Sequence, residues 1–190
     1  MLFRSVWTGS AFICSGPYAN DNITKISTST DGATWTSATL SNTAGEVHSI
    51  AWNGSTVVVS ANNTSGVGSL LVSYNGSTWT AVGGSVASGY KGVCWSGAAF
   101  VANTGTTAIR YSYDGTNWSS TAISALNGNG VLWTQPDIGT MRIQMPTLVG
   151  GDSSANTMYY SSDGVVYRSL GNSVFSGRCH SIAWNGKLWV

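Results

Sequence analysis

Apolar and polar positions alternate along this chain in short runs, and small polar residues interrupt the runs at regular intervals. Residues 47–52 read VHSIAW, Asn53-Gly54 follows, and 55–61 read STVVVSA; beyond a polar stretch come LLVSY at 70–74 and WTAV at 79–82. Runs of this length, rich in β-branched and aromatic residues, predict β-strands, and no segment sustains the period of a helix. Asn-Gly accepts the positive φ angles of a type I′ turn, so the first pair of runs predicts a tight hairpin centred on Asn53-Gly54. The second pair predicts another hairpin, giving a unit of four short antiparallel strands, A to D.

Two phrases recur through the chain. One is SVWTG at 5–9, IAWNG at 50–54, VCWSG at 93–97 and IAWNG at 182–186, with a looser VLWTQ at 131–135. The other is STDGATW at 29–35, SYNGSTW at 73–79, SYDGTNW at 112–118 and SSDGVVY at 161–167. They alternate strictly, with successive Trp residues of the first phrase 38 to 51 positions apart, which is the spacing of propeller blades. One four-stranded sheet of this length cannot bury both faces, whereas sheets stacked around an axis can. The expected fold is therefore all-β: a single β-propeller of about four and a half blades, over 1–46, 47–88, 89–128, 129–176 and a partial unit at 177–190. On strand A the residues one and three before the Trp are mostly small (Val6, Ala51, Cys94, Leu132 and Ala183; Arg4, Ser49, Gly92, Gly130 and Ser181). Their face should allow neighbouring blades to approach closely near the axis.

The second phrase reads as a turn. An Asp at a hairpin tip accepts hydrogen bonds from backbone N–H groups one to three residues on, Gly supplies an unusual φ, and the aromatic residue folds back into the core. The residues concerned are Ser29, Asp31, Gly32 and Trp35; Ser73, Asn75, Gly76 and Trp79; Ser112, Asp114, Gly115 and Trp118; and Ser161, Asp163, Gly164 and Tyr167. Asn75 is an internal test, since it keeps the accepting oxygen and drops the charge. A carboxylate needed for acid–base work or for a hard cation is not so readily replaced, so these positions are assigned a structural role, with no catalytic and no metal-binding residue.

The phrase S-x-D-G-x-x-W resembles the Asp-box, or BNR repeat, of sialidase-like β-propellers, in a form one residue shorter between Asp and Gly. The resemblance runs over essentially the whole chain and implies the propeller fold. In sialidase-like enzymes it would also imply an arginine triad, a Tyr nucleophile paired with Glu, and an acidic catalyst. Here there are five arginines, at 4, 110, 142, 168 and 178, without spacing that marks a triad, and a single glutamate, Glu46.

Composition narrows the partners. Only 8% of the 190 residues are charged and the formal net charge is +1, whereas an ordinary domain is about 25% charged. Nucleic acid and anionic membrane both demand concentrated positive charge, and no apolar run approaches the ~20 residues of a spanning helix, so neither nucleic-acid binding nor membrane insertion is expected. No signal peptide is legible. Nine Trp, eight Tyr and four Phe supply enough regular burial to fold the chain. Cys14, Cys94 and Cys179 match no metal-ligand spacing and read as small buried hydrophobes. His48 and His180 stand four residues before a repeat Trp, a slot filled elsewhere by Phe3, Lys91 and Asn129. So variable a position predicts architecture instead of a metal ring, and no cofactor motif accompanies it.

With strands running up and down, the B–C and D–A loops share one end of the blades, and these are the unequal ones. Variable loops on a rigid scaffold are where binding usually resides. Tyr18, Asn20, Asp21, Asn62, Asn63, Asn103, Asp152 and Asn156 are therefore the candidate ligand contacts, suited to neutral hydroxylated ligands such as glycans. Four units and part of a fifth do not close a ring, which implies further blades or completion by another copy. The expected function is a non-enzymatic structural and recognition module, binding glycans or a protein partner on an extracellular or virion surface. Two alternatives stand beside it, a fragment of a sialidase-like glycoside hydrolase and a pure assembly protein that completes a propeller by oligomerisation.

Overall fold

A computed structural model describes residues 4–15, 25–40, 45–63, 65–104, 109–121, 132–133, 148–151, 158–161 and 165–169. Among these residues are four sheets, each of four antiparallel strands hydrogen-bonded in chain order. Blade 1 comprises β1 (Arg4–Trp7), β2 (Phe12–Ser15), β3 (Lys25–Ser29) and β4 (Thr36–Thr39). Blade 2 comprises β5 (Gly45–Trp52), β6 (Val57–Asn63), β7 (Gly68–Ser73) and β8 (Thr80–Val86). Blade 3 comprises β9 (Tyr90–Trp95), β10 (Phe100–Thr104), β11 (Ile109–Ser112) and β12 (Ser119–Ser120). Blade 4 comprises β13 (Leu132–Trp133), β14 (Leu148–Gly151), β15 (Met158–Ser161) and β16 (Arg168–Ser169). The expected partial unit at 177–190 lies outside the described residues.

Pairing registers put the recurring residues at matching places. Trp7 pairs with Phe12 and Phe12 with Ser29; Trp52 pairs with Val57 and Val57 with Ser73; Trp95 pairs with Phe100 and Phe100 with Ser112. Because side chains alternate across a strand, Trp52 and Trp95 each face the preceding blade, while the residue before the Trp lies on the other face of the sheet. Ile13 and Ile26 of blade 1 pack in one cluster with Val57, Val59 and Leu71 of blade 2, with Trp52 and Trp79 against it. The same arrangement joins Ala51, Val58, Leu70 and Val72 of blade 2 to Val93, Phe100 and Ala102 of blade 3, with Trp95 and Trp118 packed alongside. Cys94, Val101 and Ile109 of blade 3 then meet Tyr159 and Tyr167 of blade 4. The core is thus a series of slabs between blades, each built from the Trp side of one sheet and the opposite side of the sheet before it.

The small residues of strand A do permit close approach: the Ser49 hydroxyl donates across the seam to the backbone carbonyl of Val93 at 2.7 Å. Blade 1 has no described residue over its Trp side, and Trp7, Phe12 and Trp35 are 45%, 38% and 43% exposed. Trp35, expected to fold into the core, therefore stands at the surface. Its counterparts Trp79 and Trp118 are covered because a preceding blade supplies the other half of their slab.

The hairpin expected to centre on Asn53-Gly54 is shifted by one residue. The N–H of Asn53 donates to the carbonyl of Thr56, so the tip is Gly54-Ser55, with Gly54 at φ +107°. Asn53 serves through its side chain, whose Oδ1 accepts from the N–H groups of Ser55 and Thr56. Thr8 and Ser96 do the same for Ala11 and Ala99 at the equivalent turns, so the residue after each Trp is a side-chain brace for the tip. The slot of His48 also has a structural reason. Register shifts by one between Val47 and Ser49, and again where Tyr90 and Gly92 flank Lys91, so both slots are β-bulges. An extra residue in a bulge has no cross-strand partner to match, which is why its identity varies from blade to blade.

Candidate functional site

The S-x-D-G-x-x-W turns are built alike in the first three blades. Ser29, Ser73 and Ser112 are buried, and each hydroxyl donates to the oxygen of the residue two on: Asp31 at 2.9 Å, Asn75 at 3.2 Å and Asp114 at 2.9 Å. The same Ser oxygen accepts the N–H of Gly32, Gly76 or Gly115 at 2.8–2.9 Å. The Asp or Asn Oδ1 then accepts two successive backbone N–H groups, at 2.7–2.9 Å in all three turns. Asn75 thus reproduces the bonding of Asp31 and Asp114 atom for atom at Oδ1. These donors hold the Asp31 carboxyl at a pKa of about 2, with the Thr34 and Ala33 N–H groups the largest causes. The N–H and side-chain amide of Asn117 hold Asp114 below the usual carboxylate range as well. In the fourth turn Ser161 is buried like its counterparts, while Asp163 and Gly164 lie outside the described residues.

The glycine of the turn has a second duty that the sequence pattern does not reveal. Gly32, Gly76 and Gly115 have φ of +73°, +73° and +81°, the left-handed region that favours glycine. A Cβ on Gly76 would stand 3.1 Å from Ile13 Cδ1 of blade 1, and one on Gly115 would stand 3.1 Å from Val58 Cγ2 of blade 2. The turn therefore presses its backbone against the preceding blade.

At the opposite end, Asn62, Asn63 and Asn103 are the described members of the candidate ligand contacts; Tyr18, Asn20, Asp21, Asp152 and Asn156 lie outside the described residues. Asn62 is buried, its Oδ1 accepts the N–H of Tyr90 in blade 3 at 2.8 Å, and its Nδ2 meets His48 Nε2 at 2.7 Å. Asn63 uses its Oδ1 on the N–H groups of Ser65 and Val67. Asn103 is buried within β10. The three do not converge on a common surface: the side-chain oxygens of the first two are engaged in holding the B–C loop and the blade seam.

The sequence pattern does not reveal a further polar cluster. Arg110 Nη1 donates to the Gly83 carbonyl and to the Tyr90 hydroxyl, the latter at 3.0 Å, and its guanidinium stands 6.0 Å from the centre of the Tyr90 ring. Tyr90 is completely buried, and burial raises its pKa against the opposing pull of Arg110. A phenol so enclosed and so weakly acidic is a packing group across the seam of blades 2 and 3. Burial likewise pushes the Cys94 thiol up, leaving it a small hydrophobe. No group of three or more His, Cys, Asp or Glu side chains disposed for a metal ion occurs among the described residues.

Four-stranded antiparallel blades, stacked with the Trp side of one against the opposite side of the blade before it, define a β-propeller protein. Among solved structures the chain is similar to the computationally designed Ika8 protein, with a TM-score of 0.51 and 11% identity over 96% of this chain and 65% of that one. It is also similar to a mutant of Trypanosoma rangeli sialidase displaying trans-sialidase activity, with a TM-score of 0.48 and 16% identity over 88% of this chain and 37% of that one. The chain thus spans about two thirds of the designed protein and little over a third of the sialidase. No family model and no curated protein matches it. No helix among the described residues is long and apolar enough to cross a membrane.

Proposed function

We propose that this chain is a non-enzymatic β-propeller serving as a structural and recognition module, engaging a glycan or a protein partner at an extracellular or virion surface. The observation that carries the reading is how the recurring polar residues are spent. Asp31, Asn75 and Asp114 each use Oδ1 to satisfy two backbone N–H groups and a serine hydroxyl of their own turn, which commits them as struts. A chain with only 8% charged residues and abundant Ser, Thr, Asn and Gly suits neutral partners. The test is a glycan array run together with a panel of aryl glycosides, aryl sialosides included. Binding without turnover is expected; hydrolysis of any member by the purified chain would overturn the non-enzymatic reading.

One observation favours assembly as a second reading. The exposed Trp7, Phe12 and Trp35 form the half of a slab that, in blades 2 and 3, a neighbouring blade completes.

A further inference from the structure

A groove of about 520 Å³ opens between blades 1 and 2 at the end of the sheets that carries the A–B and Ser-x-Asp/Asn-Gly turns, within the ~300–1,000 Å³ range of small-ligand sites. Its base is apolar, formed by the buried Ile13 and Val57 and the half-buried Trp52, while its exposed rim carries hydroxyl groups. No charged side chain lines it. The rim hydroxyls of Thr30, Thr36 and Ser77 have no hydrogen-bond partner among the described residues. The Nδ2 of Asn75 has none either, because its Oδ1 takes the whole load of the turn.

Comparison with the next seam shows why this one is open. There, Tyr74 of blade 2 reaches across to Thr116 of blade 3, with 3.2 Å between their hydroxyl oxygens. Counting along the repeated turn, Tyr74 corresponds to Thr30 and Thr116 to Ser77. The first seam has two short side chains where the second has a bridging tyrosine. Its flanking turn also has the neutral Asn75 where the turns of blades 1 and 3 have a carboxylate, replacing charge with an outward donor.

We infer that this inter-blade groove is a binding site for a neutral carbohydrate, whose apolar ring face lies against the half-buried Trp52, backed by the buried Val57 and Ile13, and whose hydroxyls bond to Thr30, Thr36, Ser77 and the Asn75 amide. An apolar base under a rim of uncharged donors and acceptors matches the two-sided chemistry of a sugar ring. The inference rests on the recognition reading and gives it a location, away from Asn62 and Asn63.

The test is NMR titration of the ¹⁵N-labelled chain with a panel of neutral di- to tetrasaccharides of hexoses and N-acetylhexosamines. Saturable shifts are expected at residues 8–11, 29–36, 52–57 and 74–77. Thr30→Tyr, which places in blade 1 the residue that blades 2 and 3 already carry at this position, should weaken binding by about tenfold or more. Thr30→Ser should bind as the parent does, and Asn75→Asp, which keeps the turn and removes the donor, should weaken binding by about tenfold. Unchanged melting temperatures would show that both weakened variants are folded. Saturable binding that maps elsewhere, or that survives Thr30→Tyr, would overturn the groove and leave the recognition reading standing. Failure of every saccharide to bind would overturn the groove and the glycan half of that reading together.

Discussion

The side-chain oxygen of Asn62 accepts the backbone N–H of Tyr90 across the seam between blades 2 and 3, at 2.8 Å. The amide nitrogen of the same side chain lies 2.7 Å from His48 Nε2. With Nδ2 donating, His48 accepts as a neutral imidazole, so one buried amide joins β6, the bulge of β5 and the first residue of β9. Asn62→Ala would strand the Tyr90 N–H in a buried site. A loss of ~1–3 kcal/mol is expected, or a melting temperature lower by several degrees in thermal denaturation. Asn63→Ala, which removes a brace from a partly exposed turn, should cost roughly 1 kcal/mol or less. Equal effects for the two would contradict the assignment of Asn62 to the seam.

Paired substitutions separate the two duties of the turn glycine. Gly32→Ala and Gly115→Ala both force a Cβ into the left-handed region, at a cost of ~1–2 kcal/mol. Gly32 has nothing closer to that Cβ than Phe12 at 3.8 Å, whereas Gly115 has Val58, Thr56 and Phe100 within 3.1–3.3 Å. Gly115→Ala is therefore expected to be the more destabilising by a further ~1–3 kcal/mol of overpacking, measured by urea denaturation. A difference near zero would mean that the seam yields freely and that only φ matters.

The strands, their number per unit and the unit period were legible because aromatic and glycine positions repeat where the fold repeats. The role of Asn75 was legible for the same reason, since one copy of a turn can be compared with the others. What escaped was anything that depends on a partner in another blade. Gly68 and Gly89 look like ordinary loop glycines, yet a Cβ on Gly68 would stand 2.4 Å from the Tyr90 nitrogen and one on Gly89 2.6 Å from Asn62 Nδ2. The exposure of Trp35 escaped likewise, because one phrase produces a buried or an exposed ring according to whether a preceding blade covers it. The tip at Gly54-Ser55 lies one residue beyond the position that Asn-Gly predicts, because Asn53 acts through its side chain and not through its backbone. Among candidate contacts, an exposed-looking Asn-Asn pair concealed that Asn62 points into the seam.

Acid should act on the turns unequally. The folded-state pKa of Asp31 is depressed to about 2 from an unfolded value near 3.9. The ionised carboxylate is thus favoured by folding, so its contribution is complete above about pH 4 and is lost as pH falls through about 2. Asp114 is shifted in the same direction, whereas Asn75 has nothing to titrate. Both carboxylates are exposed, so screening by water keeps the effect modest. The double variant Asp31→Asn, Asp114→Asn is expected to lose less thermal stability than the parent between pH 4 and 2. Parallel curves would show that other groups govern acid unfolding.

Trp7 and Phe12 pack in a tilted pair with ring centroids 4.4 Å apart, as Trp95 and Phe100 do at 4.8 Å, yet the first pair lies open and the second forms part of a slab. An apolar face of this kind, flanked by the exposed Trp35, is the half of a slab that the opposite sides of blades 1 and 2 complete for their neighbours. If blade faces serve assembly, sedimentation velocity should show mass rising with concentration. The double variant Phe12→Ser, Trp35→Ser should suppress that rise while shifting the melting temperature little, because both residues are exposed in the single chain. Blade 1 would lose stability sharply in the double variant if these rings instead supported its own fold, and a chain that stays monomeric at every concentration would eliminate the assembly reading. The two variants of the groove, Thr30→Tyr and Asn75→Asp, lie at the other seam side of blade 1 and should leave association unchanged, so recognition and assembly can be measured independently in one molecule.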